Sequence, residues 1–119
     1  MKTMQSFLIF FYILNQGYNQ CKEDDLGGFL GAISPELWED GQPADKAIFN
    51  DWQKISNPTT VDESNIMERA YTFLGYYEQE FGFNFSETKQ WILHTTNESV
   101  VKKAYNEAHL MYQKFQYDN

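Results

Sequence analysis

Cysteine occurs once, at Cys21, which excludes an internal disulfide and any cysteine-based zinc cluster and fits a reducing compartment. Cys21 has no neighbouring base apart from Lys22 and reads as a small apolar residue. Histidine occurs twice, at His94 and His109, fifteen residues apart and on different predicted helices. Without His-Glu-x-x-His spacing, neither reads as a metal ligand. His94 falls near a predicted helix C-terminus, where the macrodipole favours a cation and a structural role suffices. Bases are scarce, nine against seventeen acids, for a formal net charge of −8. Such a surface repels phosphate and argues against nucleic acid as a direct partner. The apolar run Phe7–Leu14 is eight residues long, far too short to span a bilayer. The segment Gly27-Gly28-Phe29-Leu30-Gly31 lacks the spacing of a dinucleotide loop, has no lysine after it, and suits close helix packing or a turn. Glu36–Gln42 has a glycine after acids but neither the remaining register nor the terminal bidentate glutamate of a calcium loop. No nucleophile, general base or cofactor loop stands out, so no catalytic residue, cofactor or metal is assigned and the chain does not read as an enzyme.

Aromatic residues, in contrast, are abundant: ten Phe, eight Tyr and three Trp in 119 residues. A chain of this length supports one domain, here taken as residues 1–119, and can bury about two-thirds of its unfolded surface without staples. The apolar spacing predicts a compact all-α bundle of five or six helices with almost nothing reading as strand. In the first, Met4, Phe7, Leu8, Phe11 and Leu14 form a stripe, and Ile9, Phe10 and Ile13 make the segment apolar nearly all round, as in a central helix covered on two sides. Glu23-Asp24-Asp25 offers an N-cap and acidic first turn for a helix through Ile33. A loop spans Ser34–Pro43. Ile48, Trp52 and Ile55 give a short helix over residues 44–55, which Ser56–Thr60 breaks. Asp62 or Ser64 can cap the next helix, with Ile66, Ala70, Phe73, Leu74, Tyr77 and Phe81 along one stripe and Gly82 as its C-cap. Ser86 can cap a short segment containing Trp91 and Ile92, and a last helix starts near Asn97 with Val101, Ala104, Tyr105, Ala108, Met111, Tyr112 and Phe115 on one face.

The first twenty residues also admit another reading. Lys2, the apolar run and the polar Asn15-Gln16-Gly17 have the layout of a secretory signal, and Asn84-Phe85-Ser86 and Asn97-Glu98-Ser99 are glycosylation sequons. No small-x-small cleavage site follows, and the segment is read as a buried helix. A secreted acidic protein remains an alternative.

The charge is unevenly placed. Residues 23–63 hold ten acids and two bases, a net of −8, while the other seven acids and seven bases cancel. The plain reading is a solvated face that maintains solubility. The sharper one is a docking surface for a basic partner, with Trp38 in the loop as aromatic anchor.

The same stretch carries a resemblance. Asp24-Asp25-Leu26-Gly27-Gly28-Phe29-Leu30-Gly31, then Glu39-Asp40-Gly41-Gln42-Pro43-Ala44-Asp45 and Asp51-Trp52, resembles immunity proteins of bacterial polymorphic toxin systems, including contact-dependent growth inhibition. The resemblance covers roughly residues 4–55 and departs from the family pattern at Lys46, where a proline is expected. It implies a cytoplasmic protein that binds and inactivates a cognate toxin domain inside the producing cell. Many such toxins are nucleases with basic clefts, to which an acidic inhibitor is electrostatically matched. The candidate partner-binding residues are Asp24, Asp25, Glu36, Trp38, Glu39, Asp40, Asp45 and Asp51. The competing class is a small helical enzyme or ligand-binding protein with a site among the Tyr and Trp side chains.

Overall fold

Apolar residues at three- and four-residue spacing recur through nearly the whole chain, and the computed structural model, which describes residues 2–56, 60–95 and 97–118, is predominantly helical in those stretches. Among the described residues six α-helices run in order: α1 (Thr3–Cys21), α2 (Asp24–Ile33), α3 (Lys46–Ser56), α4 (Ile66–Phe81), α5 (Ser86–His94) and α6 (Asn97–Asp118), with a turn of 3-10 helix at Pro35–Leu37 between α2 and α3. Among the described residues there is no strand, only an isolated bridge between Glu39 and Gln42. The expected all-α bundle is the fold. Asn57–Thr59, inside the expected helix break, lie outside the described residues.

The all-round apolarity of α1 has its explanation in packing, since α1 contacts each of the other five helices. Phe7, Leu8, Ile9, Phe10, Ile13 and Leu14 are all buried, so the segment that resembled a signal is the centre of the folded core. Burying a side chain of this size contributes about 1.5–3 kcal/mol. Trp52 of α3 stacks on Phe10 at 4.4 Å, and Phe73 of α4 meets both rings edge-on. The indole Nε1–H of Trp52 donates to the buried Ser6 hydroxyl at 2.9 Å, and that hydroxyl donates to the Thr3 carbonyl. The Trp52 indole N–H is thus satisfied where water cannot reach.

Helix ends follow the sequence in part. Gly82 closes α4 at φ 77° with its N–H on the Glu78 carbonyl, the expected left-handed C-cap. Asp62 accepts from the N–H groups of Ser64 and Asn65 ahead of α4, and the Asn65 side chain accepts from the Asp62 N–H in return. At α4 the N-cap position is held by Asn65, so neither Asp62 nor Ser64 caps the helix as expected, and two further expected caps are corrected. Glu23 occupies the N-cap position of α2 but makes no side-chain bond there, and Ser86 is the first residue of α5 rather than its cap. Both differences have one cause. The Glu23 carboxylate reaches across to α5 and accepts from the N–H groups of Glu87 and Thr88 and from the Thr88 hydroxyl, at 2.8–3.1 Å. An anion placed on free N–H groups at a helix N-terminus is favoured by both hydrogen bonding and the helix dipole.

Candidate partner-binding surface

The ten acids of residues 23–63 divide by what they touch. Five hold the fold through hydrogen bonds: Glu23 caps α5, Asp25 accepts from the Asn84 N–H at 2.7 Å, and Asp45 caps α3 through the Ile48 N–H at 3.0 Å. Asp51 accepts from the Tyr77 hydroxyl at 2.7 Å, and Asp62 accepts from Ser64 in the turn just ahead of α4. Burial and then the Asp51 carboxylate hold the Tyr77 phenol well above its ordinary range. The Ser64 hydroxyl, joined by the Ser64 and Asn65 N–H groups, holds Asp62 below the usual carboxylate range. Asp24, Glu36, Glu39, Asp40 and Glu63 are exposed.

Three of those exposed acids share the segment between α2 and α3. Its course is set by residues that point inward: Pro35, Trp38 and Pro43 are buried, while Glu36, Leu37, Glu39 and Asp40 face solvent. Ser34 accepts from the Glu36 N–H and starts the 3-10 turn. Residues Glu39–Gln42 then form a tight turn closed by the Gln42 N–H on the Glu39 carbonyl at 3.0 Å. Both central residues have positive φ, 55° at Asp40 and 68° at Gly41. That is the geometry an Asp-Gly pair favours, because Asp tolerates the left-handed region and Gly meets no steric cost there. The turn displays the Asp40 carboxylate at its tip.

Trp38 is not an exposed anchor. Its ring stacks on Phe7 of α1 at 6.1 Å and on Phe115 of α6 at 5.2 Å, and its Nε1–H donates to the Ile33 carbonyl at 3.3 Å. Two aromatic partners distant in sequence claim the indole, so Trp38 fastens the acidic loop to the core instead of offering itself to a partner. The large apolar side chain that the loop does expose is Leu37, 58% accessible and flanked by Glu36, Glu39 and Asp40. Helical spacing carries no information about a residue in a 3-10 turn, so no periodicity singles out Leu37.

Glu36, Trp38 and Asp40 come together on one depression of about 220 Å³ between the loop and the last turns of α6, where Met111, Lys114 and Phe115 form the facing wall. Tyr12 of α1 is held above the usual phenol range by burial first, then by the carboxylates of Glu107 and Glu36. Asp24 and Asp25 lie elsewhere, on a depression of about 450 Å³ with Lys22, Glu23, Asn84 and Glu87 that shares no residue with the first. The expected acidic face is therefore two acidic surfaces, plus Asp45 and Asp51, which serve the packing of α3. Among the described residues, no three of His, Cys, Asp and Glu gather closely enough to hold a metal ion, and no helix is long and apolar enough to cross a membrane. In comparisons with known proteins, the chain matches no family model, no curated protein and no solved structure.

Proposed function

We propose that this protein is an immunity protein that acts in the cytoplasm by binding, not catalysis, and neutralises a cognate toxin domain through the loop bearing Glu36, Leu37, Glu39 and Asp40. The observation that carries the reading is the composition of that loop's exposed face. Three exposed carboxylates share the loop with one exposed leucine, on a backbone fastened by Trp38 and closed by a tight turn. A fixed loop loses little freedom on docking, which leaves more of the contact energy as affinity. Carboxylates around a small apolar centre suit a basic partner with an apolar contact, the arrangement of a charged rim around a desolvated anchor. The sequence resemblance over residues 4–55 supplies the class of partner, a toxin domain, and a nuclease with a basic substrate cleft matches the charge.

The test is neutralisation in cells. A basic partner recovered from the native strain, encoded beside this protein, is expressed alone and together with it. Growth arrest by the partner alone and recovery on co-expression are expected. Failure of co-expression to restore growth, with both proteins present in soluble form, would contradict the proposal.

A further inference from the structure

Two exposed leucines, Leu37 at 58% and Leu110 at 66%, stand in surroundings of opposite sign. Leu37 shares its loop with the exposed Glu36, Glu39 and Asp40. Leu110 lies on the solvent face of α6, on one stripe with the exposed Lys103 and Lys114. At 3.6 residues per turn these three side chains fall within about 40° of one another, along about 16 Å of helix. Glu107, the one acid among residues 102–114, is half-buried and close enough to Tyr12 to act on its phenol. The two patches adjoin, because Lys114 shares a depression with Glu36 and Asp40. Among the described residues no ion pair joins Lys114 to either carboxylate, so both signs of charge stay open to an outside partner. We infer that the chain pairs with a second copy of itself about a two-fold axis. The acidic loop of each copy lies on the face of the other's α6 that carries Lys103, Leu110 and Lys114.

A two-fold interface must be self-complementary, because every contact is made twice with the roles exchanged. Adjoining patches of opposite sign meet that condition. With the axis lying between them in the plane of contact, each loop falls on the partner's helix and both contacts form at once. Carboxylates then meet ammonium groups at the rim while Leu37 and Leu110 leave water. At physiological ionic strength, charges farther apart than about 8 Å are largely screened. The contact therefore senses the two patches more than the net charge of −8 on each chain. One loop and one helix face, used twice, make a small contact beside the roughly 800 Å² per partner of a stable complex. The dimer is accordingly weak and reversible, and its consequence is a covered loop that a basic partner reaches by displacing the second copy. The pairing needs no toxin and does not rest on that reading.

The experiment is sedimentation velocity of the full chain from micromolar to millimolar concentration at physiological salt. The mass is expected to rise from 14.1 kDa toward twice that value. Glu36→Lys/Glu39→Lys and Lys103→Glu/Lys114→Glu should each weaken self-association at least about tenfold, because like charges then face each other. An equimolar mixture of the two variants should associate again. The reversed loop of one meets the reversed helix of the other, and the unaltered patches also match. Misfolding could not produce that recovery. The loop variant is less negative than the unaltered chain, so total charge alone would make it associate more strongly. Leu110→Asn should weaken the dimer, while Leu93→Asn, at a leucine 57% exposed on α5, should not. A monomer at every concentration, a loop variant that associates as well as the unaltered chain, or a mixture that stays monomeric would overturn the pairing. A monomeric chain that still restores growth beside the toxin removes the pairing and keeps the toxin-binding function.

Discussion

Gly17 and Gly31 occupy similar helical backbone and differ in what stands beside them. A Cβ built on Gly17 would lie 2.9 Å from the Trp91 ring, whereas one on Gly31 would meet nothing within 4 Å. Gly17 therefore sets how closely α5 approaches α1, and Gly31 retains only the entropic penalty of glycine in a helix. Gly17→Ala is expected to destabilise by about 1–2 kcal/mol through forced displacement of a rigid indole. Gly31→Ala should stabilise by about 0.5–1 kcal/mol. Urea denaturation of both variants checks the opposite signs. Tyr77 offers a second test at this scale, because its phenol is pushed well above 10 by burial and by Asp51. Above pH 10 the unfolded chain loses this proton while the folded chain keeps it, so stability falls as pH rises. Lys89, raised chiefly by its hydrogen bond from the ammonium to Glu78, acts in the same direction, its contribution present below about 10.5 and lost as pH climbs through the folded value. Tyr77→Phe should cost about 1–2 kcal/mol at neutral pH and flatten the decline in stability above pH 10. An unchanged alkaline slope in that variant would contradict the assignment.

At the scale of elements, α5 is a nine-residue helix, too short to persist alone, and its N-terminus is held by groups from two other helices' ends. Glu23 covers Glu87 and Thr88, Asp25 covers Asn84, and Glu78 accepts from both the Phe85 N–H and the Lys89 ammonium. Glu23→Ala is expected to cost about 1–3 kcal/mol and to speed hydrogen exchange in α5 before α1 or α4. Uniform exchange across the helices would show that the Glu23 bridge does not hold α5. This bridge was illegible in the sequence because its partners lie more than sixty residues apart, and capping rules look only a few residues ahead. Periodicity, a local property, did reveal the helices themselves, the central place of α1 and the Gly82 cap. Asp45 was legible in principle, as an acid just ahead of Lys46-Ala47-Ile48, but a helix read over residues 44–55 takes it in as a helical residue, whereas α3 begins at Lys46.

For the whole molecule, the sequence located the excess negative charge in residues 23–63 but could not divide it. Whether an acid is free or occupied depends on which N–H or hydroxyl the fold brings to it, as the Asn84 amide is brought to Asp25 and the Tyr77 hydroxyl to Asp51. Likewise Trp38 looked like an anchor until Phe7 and Phe115 were placed against it. That division leaves Asp24 and Glu63 exposed on their own and three exposed acids gathered in one loop, in a chain of net charge −8. Total charge accelerates encounter with any basic partner, by about 10- to 1000-fold, and salt screens that gain. Contact pairs act differently, because their loss speeds dissociation. The most direct measurement is therefore the kinetics of binding to the basic partner captured from the native strain, comparing Glu39→Lys/Asp40→Lys with Glu80→Lys/Glu98→Lys. Both pairs change formal charge equally, and the second avoids Glu107, whose charge already reaches Tyr12 beside Glu36. Both variants should associate more slowly at low salt, and the loop variant alone should also dissociate faster, by at least about tenfold for two lost contact pairs. Equal dissociation rates for the two variants would contradict the docking loop and leave its acidity as a determinant of solubility alone.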